Sequence, residues 1–321
     1  MTKKNARPSI ASTLIAGLPH ARPGELFVYR GMADASAAAA LGPEHFVVAD
    51  DERNQLQIYR RGQADPVDGL DLSGFLGTAH DKESDLEGAA ALGARIYWIS
   101  SHGRTGKGKA DERRQRFFAT EVGAAAVVAD GAAGAPSLAP VGKPYAGLLA
   151  DMVAAPQLRQ YDLAQAAART PEHEGAFNIE GLAATPAGGL LIGLRNPAPR
   201  GMALLVELLN PAELVDGARA RFGRVVELDL GGRAIRSIEL VGLAYMIIAG
   251  PSGKVGDFAL FQWSGDGAGA ARMLLRLDAE GTRPEALFAI PGTRMVQILG
   301  DGGGKAPAGH RQQFRSIVVA L

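Results

Sequence analysis

Ser84 to Arg104 reads SDLEGAAALGARIYWISSHGR, and Phe177 to Pro197 reads FNIEGLAATPAGGLLIGLRNP. Both carry one phrase: Asp or Asn, then Leu or Ile, then Glu-Gly, an Ala-rich run, a Gly-containing turn, an apolar strand and a polar loop with Arg. Weaker copies occupy residues 33–54, 235–253 and 283–303. The phrase begins near residues 34, 85, 178, 236 and 284, at intervals of 51, 93, 58 and 48. A repeat of this size built from about four short strands is the period of a propeller blade. Counting the interval of 93 as two periods, with a degenerate copy near residue 130, gives six copies, since 321/6 is 53.5. The sequence therefore predicts an all-β fold, a β-propeller of six blades of about four antiparallel strands. Five or seven blades, or a β-sandwich with coincidental internal likeness, are the alternatives.

The local pattern agrees with a β fold. Gly supplies 42 of 321 residues, about 13% against a usual share of about 7%, and it punctuates apolar runs of strand length. Examples are Arg95 to Ser100 (RIYWIS), Leu190 to Leu194 (LLIGL) and Phe258 to Trp263 (FALFQW), rich in β-branched and aromatic residues. Trp98 and Trp263 lie inside such runs and are expected between blades. Gln157 to Arg169 (QLRQYDLAQAAAR) instead has helix-forming content ended by Thr170-Pro171, and reads as a helical insertion. The organisation expected is an N-terminal extension over 1–24 and a single propeller domain over 25–321. Ring closure would pair Glu25 to Arg30 with Phe314 to Ala320.

Charge and composition exclude several function classes. With 34 basic and 34 acidic residues, the chain lacks the net positive charge of a nucleic-acid binder. There is no Cys, hence no disulfide, thiolate nucleophile or Cys-ligated metal. The apolar stretch from Ile10 to Leu18 is broken by Ser12, Thr13 and Gly17, and nowhere are there about 18 consecutive apolar residues, so neither a secretory signal nor a membrane span is expected. A cytoplasmic location is the default expectation, and no membrane partner is expected. No zinc spacing, nucleophile elbow, phosphate-binding loop or dinucleotide fingerprint is present.

Propeller topology gathers the polar residues of the phrase. The loop leading into each innermost strand and the loop joining its second and third strands open on one face of the ring. Asp34, Asp85, Glu87, Asn178, Glu180, Arg236 and Glu285 should then surround the channel mouth, with Asp51, His102, Arg195, Asn196 and Asp301 further out. Several carboxylates at close range need a compensating cation. An oxygen-rich donor set without Cys or paired His favours calcium over magnesium. Asp85, Glu87, Asn178, Glu180 and Glu285 are the candidate ligands. The other reading is that the glutamates pair with Arg195 or Arg236 and lock neighbouring blades together.

On these residues the chain resembles a bacterial family known as domain of unknown function 3616. The likeness rests on Asp34 through Asp51-Glu52, SDLEGAA with YWISSHGR, NIEGLA with LLIGLRNP, Arg236-Ser237-Ile238 with IIAGPSG, and Pro284-Glu285. The Glu-Gly-Ala and Glu-Gly-Leu-Ala phrases are similar, more distantly, to esterase-like phytase domains, which implies a propeller and calcium. Two functions follow. One is a calcium-dependent hydrolase of a phosphoester or lactone, with the ion lowering the pKa of a bound water, Arg195 and Arg236 offsetting developing negative charge and His102 shuttling a proton. The other is a non-catalytic binding propeller whose mouth grips a small anionic molecule or a protein partner.

Overall fold

A computed structural model describes residues 23–50, 53–79, 82–124, 134–171, 173, 175–253, 255–266, 270–277, 283–301 and 312–321. Its strands form five four-stranded antiparallel sheets. Blade 1 is β1's successor set: β2 (Ala35–Ala40), β3 (His45–Asp50), β4 (Gln55–Arg60) and β5 (Asp68–Asp71), where β1 is Leu26–Arg30. Blade 2 holds β6 (Leu86–Leu92), β7 (Arg95–Ser100), β8 (Phe117–Val122) and β9 (Leu138–Tyr145). Blade 3 holds β10 (Asn178–Ala184), β11 (Leu190–Asn196), β12 (Ala203–Leu208) and β13 (Phe222–Leu228). Blade 4 holds β14 (Ala234–Val241), β15 (Ala244–Gly250), β16 (Phe258–Trp263) and β17 (Arg272–Leu277). Blade 5 holds β18 (Arg283–Ala289), β19 (Met295–Asp301), β20 (Gln313–Ala320) and, outermost, β1.

The innermost strands β2, β6, β10, β14 and β18 touch in that order and return to β2, which closes the ring. Closure across the chain ends is made by β1 pairing with β20, Leu26 opposite Ile317 and Arg30 opposite Gln313. The fold is thus a propeller of five blades, and the expected count of six is corrected. The five phrases are the five blades. The long interval of 93 is one blade followed by an insertion: β9 ends at Tyr145, and helices at Leu148–Ala154, Pro156–Tyr161 and Leu163–Ala167 fill the connection to β10. Residue 130, where a degenerate sixth copy was expected, lies outside the described residues. The insertion has its own reason to stay folded, because Leu148, Met152, Leu158, Leu163 and Ala166 are buried in the cluster between blades 2 and 3.

The core is distributed between blades rather than central, as repetition requires. Trp98 packs with Phe118 and blade 1 residues such as Val47, whereas Trp263 packs with Tyr245 and blade 3 residues such as Leu191 and Leu205. Among the described residues, no helix is long and apolar enough to cross a membrane.

One irregularity recurs in every blade. Register shifts fall between Ala35 and Ala37, Leu86 and Gly88, Ile179 and Gly181, Ile235 and Ser237, and Pro284 and Ala286. Each innermost strand therefore carries a β-bulge, an extra unpaired residue that re-aims its side chain. The bulged residues are Ser36, Glu87, Glu180, Arg236 and Glu285. This explains the repeated Glu-Gly. The glutamate occupies the bulge, and the glycine after it lets the next blade close in: a Cβ on Gly88 would lie 3.0 Å from Leu182 Cβ, and one on Gly181 would lie 2.8 Å from Ile235 Cγ2.

Candidate ligand-binding site at the channel mouth

The bulged residues of blades 2 to 5 and the residues two places before the bulges of blades 1, 2, 3 and 5 meet in one pocket of about 350 Å³. Its wall includes Glu87, Glu180, Arg236 and Glu285 from the bulges, and Asp34, Asp85, Asn178 and Arg283 from the leading positions. Arg114, Arg195 and Phe258 complete the side-chain lining that matters. The mouth therefore holds five carboxylates and four guanidiniums, a nearly balanced set.

Most of these charges are already paired. Glu180, buried at 3% exposure, has Arg195 Nη1 at 2.8 Å from Oε1 and Arg236 Nε at 2.9 Å from Oε2. The second contact is an ion pair without the alignment of a hydrogen bond. Asn178 Nδ2 donates to Glu180 Oε1 at 2.9 Å. Arg236 Nη2 reaches Glu285 Oε1 at 2.7 Å, so blades 3, 4 and 5 are joined by one chain of charge. Burial works against the Arg236 charge, and the carboxylates of Glu180, Glu285 and Glu87 overcome it and hold its pKa above the ordinary value. Arg195 sits on a second bulge, opposite the first, where Ile179 pairs with Leu194 while Asn178 pairs with Asn196. It also donates to Ser252 O at 3.1 Å and Gly253 O at 2.8 Å, strapping blade 3 to the blade 4 loop.

Blade 2 contributes a second cluster. Asp85 Oδ2 receives Arg114 Nη1 at 2.7 Å and the Ser101 hydroxyl, and Arg114 also pairs with Glu83. Asp85 is buried, and its backbone is in the left-handed region at φ 54°. Burial pushes its carboxyl above the usual range, against the pull of Arg114. His102 adopts the same backbone region at φ 55° but does not line the pocket. It is buried, its Nδ1 lies 2.8 Å from Ser100 O, and burial, reinforced by Arg116, lowers its pKa to about 4. Neutral and enclosed, His102 is poorly placed to carry protons at the mouth. Asp51 lies outside the described residues, and Asp301 closes β19 opposite Arg283 in register.

The donor set does not fit a calcium cage. Calcium needs six to eight oxygens free to converge, whereas Glu180 gives both oxygens to arginines and Asp85 gives Oδ2 to Arg114 and Ser101. Among the described residues, no group of three or more His, Asp or Glu is arranged to hold a metal ion. The interblade-lock reading of the acidic phrase is the one this geometry favours.

Two residues escaped the sequence reading. Arg283 stands two places before its bulge, in the same column as Asp34, Asp85 and Asn178, and aligning the copies on the bulge would have found it. It is exposed and, among the described residues, makes no ion pair. Arg114 lies outside the repeated phrase, and only the fold brings it to Asp85.

Residues 148–295 match the family model described as protein of unknown function (DUF3616). That is 148 of 321 residues, running from the inserted helices through blades 3 and 4 to the start of β19. No curated protein matches the sequence. Among solved structures, the PQQ-bound aldose sugar dehydrogenase of Streptomyces coelicolor is similar at 13% identity and TM-score 0.43, over 93% of this chain and 100% of that one. The Cps50 (Swd1) β-propeller domain of Myceliophteria thermophila is similar at 8% identity and TM-score 0.39, over 92% and 100%. Likenesses this distant carry no argument about chemistry, and the blades themselves define the fold.

Proposed function

We propose that the protein is a binding propeller whose channel mouth takes a small anionic molecule bearing hydroxyl or amine donors. The observation that carries this reading is Arg283, an exposed cation without an ion-pair partner among the described residues, at the rim of a pocket otherwise built from paired charges. A pocket of about 350 Å³ lies at the small end of the usual range of ligand sites, about 300–1,000 Å³. Arg283 would take the ligand's anionic group, and the carboxylates of Glu87 and Asp34 would accept from its donors. The Glu180–Arg236–Glu285 chain would hold those groups in place before the ligand arrives, which lowers the cost of binding.

The hydrolase reading has less support, because three of the five candidate ligands of an activating ion, Asp85, Glu180 and Glu285, pair with arginine, and His102 does not line the pocket. The test is calorimetric titration of the wild type and Arg283→Ala with a panel of small carboxylates and phosphates, with calcium titrated separately into chelator-treated protein. A panel member that binds should lose about tenfold or more in Arg283→Ala, the worth of one charged hydrogen bond. If no panel member binds while calcium does, saturably and through Glu180, the binding reading fails and the metal reading replaces it.

A further inference from the structure

On the face opposite the mouth, at the seam where blade 5 meets blade 1, the ring buries a cation that makes no ion pair among the described residues. Arg61 is 5% exposed. Its Nε donates to Gln297 Oε1 at 2.9 Å, and its Nη1 donates to the carbonyls of Gly42 at 3.0 Å, Pro43 at 2.5 Å and His45 at 3.3 Å. Its guanidinium stands over the rings of Phe46 and Phe288, at 5.6 and 5.7 Å. No carboxylate pairs with it among the described residues, and Nη2 is buried with no hydrogen-bond partner. A buried charge left without its counter-charge is among the costliest arrangements in a protein interior.

Beside Arg61 is a cavity of about 20 Å³ lined by Tyr29, Gln297, Ser316, Phe27, Val318 and, at its exposed side, Glu25. That volume is of the order of one probe sphere, enough for a single water-sized particle. The cavity is rich in donors. Ser316 Oγ already accepts from Gln297 Nε2 at 2.9 Å, and the Tyr29 oxygen accepts from Gly62 N–H at 3.4 Å, so each hydroxyl has its proton left to give. Gln297 Oε1 already accepts from Arg61, and the Glu25 carboxylate stands only at the exposed side. A water there would need acceptors for its own two protons, whereas a monatomic anion accepts from every side.

We infer that Arg61, Tyr29 and Ser316 form a buried halide site, for chloride under ordinary conditions, that staples the ring where its two chain ends meet. Tyr29 comes from β1, Ser316 from β20 and Arg61 from the loop after β4, so one ion ties the first strand, the last strand and the first blade together. The site is separate from the mouth and does not depend on what the mouth binds.

The test is thermal unfolding, followed by circular dichroism, in sodium chloride, sodium bromide and sodium gluconate at equal ionic strength. Chloride and bromide should raise Tm above the gluconate value by about 2–4 °C and do so saturably. The response should vanish in Arg61→Met and weaken in Ser316→Ala. Crystals grown in bromide should show an anomalous peak in contact with Arg61 Nη2, a readout that survives even where Arg61→Met does not fold. Equal Tm in all three salts, or no bromide peak at Arg61, overturns the proposal. So does a halide response that appears only in Glu25→Gln, which would make Glu25 the native counter-ion.

Discussion

Replacing Glu180 with Gln removes one negative charge from the centre of the mouth and leaves two guanidiniums facing an amide. Arg236 is 7% exposed and Glu180 3%, so their attraction is little screened by water. Breaking a buried pair from one side costs about 3–5 kcal/mol. The lower end applies here, because Arg195 keeps the carbonyls of Ser252 and Gly253 and Arg236 keeps Glu285. A loss of about 3 kcal/mol is therefore expected. The assay is urea unfolding read by circular dichroism and tryptophan fluorescence together, since Trp98 and Trp263 report on different blades and coincident transitions justify a single free energy. A double-mutant cycle with Arg236→Met should give a coupling of about 2 kcal/mol. The whole series is run with calcium and with chelator, and both should agree. A loss below about 1 kcal/mol would show that Glu180 does not compensate the buried arginines. A loss seen only when calcium is present would transfer Glu180 from the arginines to a metal.

Gly181→Ala should destabilise by about 1–3 kcal/mol through overpacking, because its Cβ would stand 2.8 Å from Ile235 Cγ2 and 3.3 Å from Gly193 Cα; Ile235→Val should recover part of the loss, and no recovery would place the strain elsewhere. The His102 imidazole should stay neutral down to about pH 4 in an NMR titration, and the stability it contributes above pH 6.5 should drain away as the pH falls toward that value. A midpoint near 6.5 would contradict its burial. Glu239, on the innermost strand β14, accepts from the Ala289 N–H, and desolvation raises its pKa from 4.5 to about 8. The folded chain then holds a proton that the unfolded chain has released, so stability falls as pH rises between those values; Glu239→Gln should flatten that fall, and an unchanged slope would locate the titration in another group.

The repeated phrase made the architecture legible, because each copy combines a strand-length apolar run with a Glu-Gly or its equivalent at a fixed place. Blade number was less legible. Interval arithmetic treats all spacing as repeat, and it could not tell a sixth blade from the helical insertion, although Gln157 to Arg169 already read as helix. The mouth was legible as a set of positions, since Asp85, Glu87, Asn178, Glu180, Arg236 and Glu285 do line it. Their electrostatic meaning was not. Carboxylates repeat at the phrase and invite a cation, whereas the arginines that answer them come from positions with no common period: Arg114 from a loop, Arg195 from a second bulge, Arg236 from a bulge that lacks its glutamate. His102 illustrates the same limit, since a polar loop near the mouth in sequence is turned into the protein by a left-handed residue.

The recurring bulge separates two tasks that most folds entangle. Paired residues on the innermost strands are committed to interblade packing and cannot be exchanged freely. The bulged residue is skipped by the ladder and turns its side chain to the mouth, where Glu180, Arg236 and Glu285 form charge pairs between neighbouring blades. Ser, Glu, Glu, Arg and Glu occupy the five equivalent places in this chain. Four of the five, Glu87, Glu180, Arg236 and Glu285, line the pocket, and the last three are coupled by charge. A charge at one of these bulges can therefore be exchanged only together with its partner on the next blade, while the ladder beneath them is left as it is.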